Sequence, residues 1–466
     1  MGHLDTLYSE LPVWAQQAAV SAYGLYRYWL RFGRGYGHYV AEYVARESLS
    51  RDEWQTWQRG KLQTLLTACG AWVPYYRESW SRRQRAAAAA GRLEELPLLD
   101  KEPIRADPTA FQRRDLRPWY RLVYHTSGST GTPIASIWTV QEIRSSRALR
   151  EARSARWAGV SFRMPRATIS GRLVEPHPDS AGPYYRYNAV ERQIYFSAFH
   201  LRPDTAAAYV EAMRRHQIQW LTGYAVSFYL LARFIMEEEL TPPPLRAIVT
   251  TSEQVTPEMR GVMEMAFRCP VYEEYSTVEN AVFASECEHR RLHVSPDAGV
   301  VEILRPDGSP CAPGEVGEVV ATCLIRDYQP FVRYRLGDLA AWAEEPCPCG
   351  RAMPVLTEVT GRLEDIVVGP DGRRMVRFHG VFVNQPRVHM GQIVQEAVDR
   401  IRVRVVPAPG FGAADVREII HQVQARLGPQ VSVVVEPVDQ IPRTPAGKFR
   451  AVVSHLRQNG DASRSR

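Results

Sequence analysis

The run Thr126-Ser127-Gly128-Ser129-Thr130-Gly131-Thr132-Pro133 interleaves hydroxyls with glycines. Glycine admits backbone conformations that turn successive N–H groups toward one point, so such a loop can gather phosphate oxygens. No Gly-Lys-Ser/Thr closes it, which separates it from a Walker-type loop. A second segment, Glu274-Tyr275-Ser276-Thr277-Val278-Glu279, sets an aromatic ring four positions before a carboxylate. The ring offers a stacking face and the carboxylate a hard oxygen ligand for a divalent cation. In Arg333-Tyr334-Arg335-Leu336-Gly337-Asp338, the aspartate follows a glycine at a strand end. A carboxylate so placed can accept two hydrogen bonds from a ribose diol. Gly361-Arg362-Leu363-Glu364-Asp365 and Pro442-Arg443-Thr444-Pro445-Ala446-Gly447-Lys448 complete the set. Taken singly, each of the last three segments also reads as a turn or a surface ion pair.

Lys448 stands out by scarcity. The chain spells its cations as Arg and keeps only Lys61, Lys101 and Lys448. A lysine retained in that background marks a place where a compact, mobile ammonium serves and a planar guanidinium does not. For Lys61 and Lys101 chance retention on the surface suffices.

A second chemistry sits in cysteine and histidine. Cys347-Pro348-Cys349 lies downstream of Cys287 and His293. Three thiolates and one imidazole make a closed tetrahedral set suited to structural Zn²⁺, with His289 as a competing fourth ligand. The alternative is that these cysteines are small buried apolar residues. Cys69, Cys269, Cys311 and Cys323 read as packing residues.

These groups need a scaffold. The chain has 466 residues, 45% hydrophobic and 23% charged, with a formal net charge of +7. That balance excludes a largely disordered chain, a coiled coil and a collagen-like fibre. The longest apolar stretch, Ala225 to Met236, is broken by Arg233 and too short to span a bilayer. Asp5 and Glu10 interrupt the amino-terminal segment, so no secretion signal is read, and seven cysteines do not make a disulfide scaffold. The expectation is a reduced, cytoplasmic protein. Dispersed arginines give no nucleic-acid signature.

Residues 1–100 read as helical, with three- and four-residue apolar spacing over Leu4–Tyr28 and Glu53–Trp72. Trp14, Tyr23, Tyr26, Tyr28 and Trp29 lie among Arg27, Arg31 and Arg34. This mixture either packs on its own domain, the favoured reading, or touches a membrane surface. Residues 120–340 alternate short β-rich runs (Ala247–Thr250, Glu318–Leu324) with helical runs (Asp204–His216, Ser227–Glu239). That alternation argues for an α/β architecture. Residues 362–450 read as a smaller α/β unit with strands near Val403–Val406 and Val431–Val435 around a helix from Asp415 to Leu427. The expected organisation is a large α/β domain over 1–361 (1–100 a helical extension), a small mobile α/β domain over 362–457 and a tail over 458–466.

In this order the five motifs resemble the adenylate-forming superfamily of acyl-CoA synthetases, nonribosomal adenylation domains and luciferases. The match is closer to the phenylacetate–CoA ligase-like branch with its CapK-type proteins, through Leu221-Thr222-Gly223-Tyr224-Ala225-Val226-Ser227, Thr251-Ser252-Glu253, and Cys287-Glu288-His289 through His293-Val294. The resemblance implies an ATP-dependent ligase. It activates a carboxylic acid as acyl-AMP, releases pyrophosphate, and passes the acyl group to CoA or to an amine, a hydroxyl or a carrier-protein thiol. A non-catalytic nucleotide-binding relative is the competing reading.

The roles the resemblance implies fall residue by residue. Thr126, Ser127, Gly128, Ser129, Thr130 and Gly131 hold the β- and γ-phosphates, and Tyr275 with Ser276 meets adenine. Glu279 holds Mg²⁺, Asp338 binds the ribose hydroxyls with Arg362, and Glu364 is the hinge. Lys448 meets the carboxylate and α-phosphate. Glu253 lies near substrate or adenine. Tyr224, Ser227 and His200 face the acyl pocket, which suits an aryl or medium-sized acid; for His200 a satisfied buried histidine is the alternative. The chain departs from the usual pattern at Ser276, Val278, Ile134 and Glu364. The acid, the acceptor and the oligomeric state, a homodimer included, stay open at this stage.

Overall fold

The computed structural model describes residue 8 and residues 10–125, 134–170, 174–175, 180–362, 367–371, 374–375, 381–382, 385, 387–442 and 449–456. The chain divides into two compact units. One comprises Met1–Leu336 with Ala340–Val359, the other Gly337–Leu339 with Thr360–Arg466.

Local chemistry starts the helices where the periodicity places them. Helix Arg51–Trp72 opens on a capping box in which Ser50 and Glu53 satisfy each other's backbone N–H groups. Ser81 with Gln84, and Thr139 with Glu142, do the same for helices Arg82–Ala89 and Val140–Arg150. Proline occupies the first position of Pro203–Arg215 and Pro257–Phe267, where its missing N–H costs nothing.

Strand β1 (Arg121–His125) pairs antiparallel with β2 (Ala135–Thr139), and His125 faces Ala135 across the ends of the hydroxyl-rich loop. The main sheet has twelve strands in the order β11-β12-β13-β14-β10-β9-β8-β7-β6-β3-β5-β4. Its parallel centre is β3 (Arg166–Ser170), β5 (Gln193–Ser197), β6 (Trp220–Tyr224), β7 (Ala247–Thr251) and β8 (Val271–Ser276). Strand β4 (Tyr185–Asn188) runs antiparallel on the outer side of β5. Strands β5 and β6 are buried along their whole length, as expected of parallel strands covered on both faces. Helices Pro203–Arg215, Ala225–Glu237 and Pro257–Phe267 make the crossovers between successive parallel strands. Beyond β8 comes β9 (Phe283–Glu286), antiparallel to it, which forms a hairpin with β10 (Leu292–Val294). The remaining strands are β11 (Gly299–Leu304), β12 (Gly317–Cys323), β13 (Tyr334–Trp342) and β14 (Val355–Arg362).

The amino-terminal helix Val13–Phe32 is anchored by charge as well as by apolar burial. Buried Glu191 meets Arg31 at 3.0 Å and also pairs with Arg166. Breaking a buried network of this type costs about 3–5 kcal/mol, because a charge is left without a partner. The favoured packing reading of this segment holds for one face only. Leu30 is buried, whereas Trp14, Tyr23, Leu25 and Trp29 are exposed. Among the described residues no helix is long and apolar enough to cross a membrane.

The second unit contains a four-stranded sheet. Strand β17 (Val388–Ala397) pairs antiparallel with β18 (Arg400–Pro407), β19 (Ser432–Pro437) lies parallel to β18, and β20 (Val452–Ser454) lies parallel to β17. Helix Ala413–Leu427 covers one face with Ile419, Val423 and Leu427. A short hairpin, β15 (Val367–Val368) with β16 (Arg374–Met375), is tied on by Gln395. The Gln395 amide donates to the Val368 carbonyl at 2.7 Å and accepts from the Val368 N–H at 3.0 Å.

Candidate functional site

Strands β6, β7 and β8 are adjacent, parallel and in register, with Tyr224 opposite Thr251 and Thr251 opposite Glu274. Their carboxyl ends therefore lie side by side, and ligands of open α/β sheets bind beyond such ends. Tyr224–Ser227, Thr251–Glu253 and Tyr275–Glu279 follow directly from them, so three segments separated in sequence meet along one sheet edge.

Each segment is shaped by a specific local cause. Gly223 has φ of +148°, and a Cβ there would sit 2.0 Å from the Ile169 carbonyl oxygen. Only glycine lets β6 approach β3 this closely before the chain enters the next helix. Ser227, in the first turn of Ala225–Glu237, is fully buried, and among the described residues its hydroxyl has no hydrogen-bond partner. Glu253 accepts from the Val226 N–H at 2.9 Å, so it caps the start of that helix. Ser252 beside it has φ of +71°. Phe228 is fully buried on the same helix and reads as core.

Tyr275 is half-buried on β8, opposite Ala284 of β9. Ser276 donates to Glu274, which is also held by Arg150 at 3.0 Å. The turn after β8 is closed by Asn280 N–H donating to the Thr277 carbonyl at 3.0 Å, with Asn280 at φ of +54°. Glu279 is thereby turned inward and buried. The Tyr334 hydroxyl donates to its Oε1 at 2.9 Å, and Arg326 donates to its backbone carbonyl at 3.0 Å. Among the described residues no hydrogen bond falls on Oε2 of Glu279. A lone, oriented carboxylate oxygen fits a Mg²⁺ ion that takes its other ligands from phosphate and water. Tyr334 and Arg326 are supports that motif reading alone did not single out. Tyr334 does lie inside the Arg333–Asp338 motif, whose Tyr is the one aromatic there able to reach a carboxylate through its hydroxyl.

Asp338 is buried on β13, directly after Gly337 at φ of +78°. His200 takes the satisfied alternative. Its Nδ1 lies 2.7 Å from the Ser197 hydroxyl, its carbonyl accepts from Thr205, and its ring stacks on Tyr184. The phosphate-loop residues Thr126 through Gly131, the hinge Glu364, the side chain of Arg362, and Lys448 lie outside the described residues. Just after Lys448 the chain enters β20, where Gln392 donates to the Arg450 carbonyl at 2.8 Å and the Ile393 N–H to the Ala451 carbonyl at 2.8 Å.

A separate cluster forms at the turn of the β9–β10 hairpin. The potential ligand atoms of Cys287, His293, Cys347 and Cys349 all lie within 4.8 Å of one another. His293, not His289, completes the cluster; His289 gives only a backbone N–H to the Cys287 sulfur, at 3.3 Å. Burial pushes the His293 imidazole down to about 4, so the ring is neutral and its nitrogen is free to ligate. Against the raising effect of burial, hydrogen bonds from the Arg351 backbone and guanidinium bring the Cys349 thiol below its ordinary value. The other four cysteines are buried and free.

On β8 itself, burial and the neighbouring Glu286 carboxylate push Glu273 up to about 8, while Arg260 opposes them. Arg260 lies 2.8 Å from Glu286.

Known proteins can be set beside this geometry. The family model described as the CapK C-terminal domain matches residues 369–455. The chain is 26% identical over 311 residues to protein CapK of Staphylococcus aureus, covering 64% of this chain and 67% of that one. It is 27% identical over 197 residues to phenylacetate-coenzyme A ligase of Thermus thermophilus, covering 36% of this chain and 44% of that one. The match thus spans less than half of the second relative. Among solved structures, a 2-hydroxyisobutyryl-CoA ligase in the postadenylation state superimposes with a TM-score of 0.66 at 23% identity, over 88% of this chain and 91% of that one. The anthranilate CoA ligase AuaEII in complex with anthranoyl-AMP gives 0.50 at 13% identity, over 70% and 64%. At these identities the superpositions establish the fold.

Proposed function

We propose that the chain belongs to the CapK and phenylacetate–CoA ligase-like branch of the adenylate-forming ligases, and that it activates a carboxylic acid with ATP to an acyl-AMP and pyrophosphate and transfers the acyl group to CoA. The observation that carries this reading is the meeting of Tyr224–Ser227, Thr251–Glu253 and Tyr275–Glu279 beyond the carboxyl ends of three adjacent parallel strands.

In this reading Tyr275 stacks on adenine and Asp338 accepts from the ribose hydroxyls. Glu279 holds Mg²⁺, whose charge would offset that of the phosphates. The oxygen of Glu279 left open by Tyr334 is the one offered to the ion. The hydroxyl-rich loop Thr126–Thr132 receives the β- and γ-phosphates. Lys448 neutralises the negative charge that accumulates where the carboxylate attacks the α-phosphorus. A preorganised donor of this type contributes roughly 3–4 kcal/mol. The anhydride's phosphoryl leaving group is then displaced by the acceptor thiolate, giving a thioester and AMP. Buried Tyr224 and the Ser227 hydroxyl give the acid one apolar wall and one polar contact, which suits an aryl or medium-sized organic acid.

The test is ATP–pyrophosphate exchange across aromatic, aliphatic and amino acids, followed by mass analysis of products with CoA and simple amines present. Exchange with an organic acid, lost in Lys448→Ala while the fold persists, is the expected result. Nucleotide binding without exchange for any acid would instead place the chain among non-catalytic relatives. An amide in place of a thioester would move the acceptor assignment from CoA to an amine.

A further inference from the structure

We propose that Cys287, His293, Cys347 and Cys349 hold one structural Zn²⁺, and that this ion fastens the amino-terminal helices to the β9–β10 corner of the first unit. The inference is independent of the ligase reading.

Geometry comes first. With Zn–S near 2.3 Å and Zn–N near 2.0–2.1 Å, a tetrahedron has edges of about 3.8 Å between sulfurs and about 3.6 Å between sulfur and nitrogen. The Cys287 and Cys347 sulfurs are 3.6 Å apart, and the Cys349 sulfur lies 3.4 Å from Nε2 of His293. A disulfide between Cys287 and Cys347 needs sulfurs about 2.05 Å apart, so it fits neither the first distance nor the second. Four protein ligands close the coordination sphere, so the ion would be structural and would have no open position for a reacting water.

The surroundings suit an ion of that charge. Nδ1 of His293 faces the Met353 carbonyl at 3.3 Å, which fixes the tautomer and turns Nε2 toward the sulfurs. Three thiolates on Zn²⁺ leave one net negative charge, and the Arg351 guanidinium hydrogen-bonds Cys349 to offset it. Residues 343–354 form no helix or strand, and of their own side chains only Cys347 and Met353 are buried. Apolar burial on that scale does not by itself hold a twelve-residue connection in place.

The same shell reaches the amino-terminal helices. Arg351 donates to Glu47 at 2.7 Å and to Glu288 at 2.8 Å, and it lies over the Trp157 ring at 4.5 Å. Trp157 meets His293 edge to face at 5.8 Å and donates to the same Glu47 oxygen at 2.8 Å. Glu47 is the residue that ends helix Tyr36–Arg46. A ligand loop that loosens therefore releases Arg351, and with it the end of that helix.

The experiment uses the full-length chain purified without chelators from zinc-supplemented cells. Elemental analysis should return about one zinc per chain. Replacement by Co²⁺ should give the thiolate-to-cobalt charge-transfer and ligand-field bands of a tetrahedral site. Cys349→Ser should lose most of the metal while Cys269→Ser retains it. If Cys349→Ser does not fold, the wild-type cobalt spectrum decides alone. Removing the metal should raise hydrogen exchange in residues 343–354 and also in residues 36–47, and adding Zn²⁺ back should reverse both. Protein without zinc that takes up no Co²⁺, a Cys287–Cys347 disulfide in the purified chain, or metal retained in a folded Cys349→Ser would overturn the site. Exchange changes confined to residues 343–354 would overturn the link to the helices.

Discussion

The β8–β10 strands carry two buried polar centres that are built on opposite plans. At the carboxyl ends of the parallel strands the protein satisfies part of each group and leaves part available: one Glu279 carboxylate oxygen takes Tyr334, and the Ser227 hydroxyl after β6 is buried with no partner among the described residues. Around Cys287 and His293 the groups face one another and form a set that is complete without any substrate. Incomplete satisfaction is costly in a folded interior and persists where a ligand supplies the missing partner. Mutual satisfaction belongs to a centre that holds the fold. The first centre should therefore affect rate and the second stability.

That division can be broken by experiment. The largest effect is expected from Glu279→Gln, which should lower ATP–pyrophosphate exchange by about 10²–10³-fold with little change in unfolding temperature. A matching loss of stability would show that Glu279 is a structural group after all. Next, stripping the metal from the Cys287 corner should cost about 3 kcal/mol of stability at a metal concentration a hundredfold above its dissociation constant. Calorimetry should register this as a lower unfolding temperature, with the KM for ATP unmoved in the folded fraction.

Ser227→Ala sharpens the comparison from the other side. Removing an orphaned hydroxyl should leave stability unchanged or raised, yet weaken the KM for the acid by about tenfold if the hydroxyl meets substrate. An unmoved KM for every acid would mark Ser227 as a packing defect. Tyr334→Phe should reduce exchange by about tenfold, the lower end of the worth of one hydrogen bond to a charged group, and leave zinc content untouched.

The smallest effect concerns Glu273, whose carboxyl is pushed up to about 8 by burial and by Glu286. In the unfolded chain this group ionises near its ordinary value of about 4.3, while in the folded chain it stays protonated to higher pH. Stability therefore falls as pH rises between those values. Glu273→Gln should flatten that fall, raising the unfolding temperature at pH 8 and leaving it nearly unchanged at pH 4. An unchanged pH profile in denaturation would remove Glu273 from the account.

The sequence made some features legible because their causes are local. The apolar spacing over Glu53–Trp72 places a helix whose observed span is Arg51–Trp72, opened by the Ser50–Glu53 capping box. The β-rich run at Ala247–Thr250 corresponds to β7, and the run near Val403–Val406 to the middle of β18. What could not be read is what depends on tertiary meeting. His200 has the residue type and position of a pocket group, and only the folded chain shows Ser197 and Tyr184 occupying it. Glu253 reads as a group near substrate or adenine, and the folded chain adds that one of its oxygens caps the helix at Val226. The aromatic residues from Trp14 to Trp29 share one helix, and periodicity did not reveal that its outer face stays uncovered. Of the two competing histidines, His293 on β10 lies with the three sulfurs, whereas His289 stays in the turn.

The Gln395 clip has a consequence for the order in which the second unit comes apart. Hairpin β15–β16 borrows a side chain to imitate a neighbouring strand, so its attachment resembles a latch on a door more than a hinge. Once that amide lets go, β15 loses its polar hold at Val368, while Val367 beside it stays buried in the apolar core of the unit. Apolar burial of Val367 and the Gln395 amide thus hold β15 by two different means, and both must yield before it parts from the sheet.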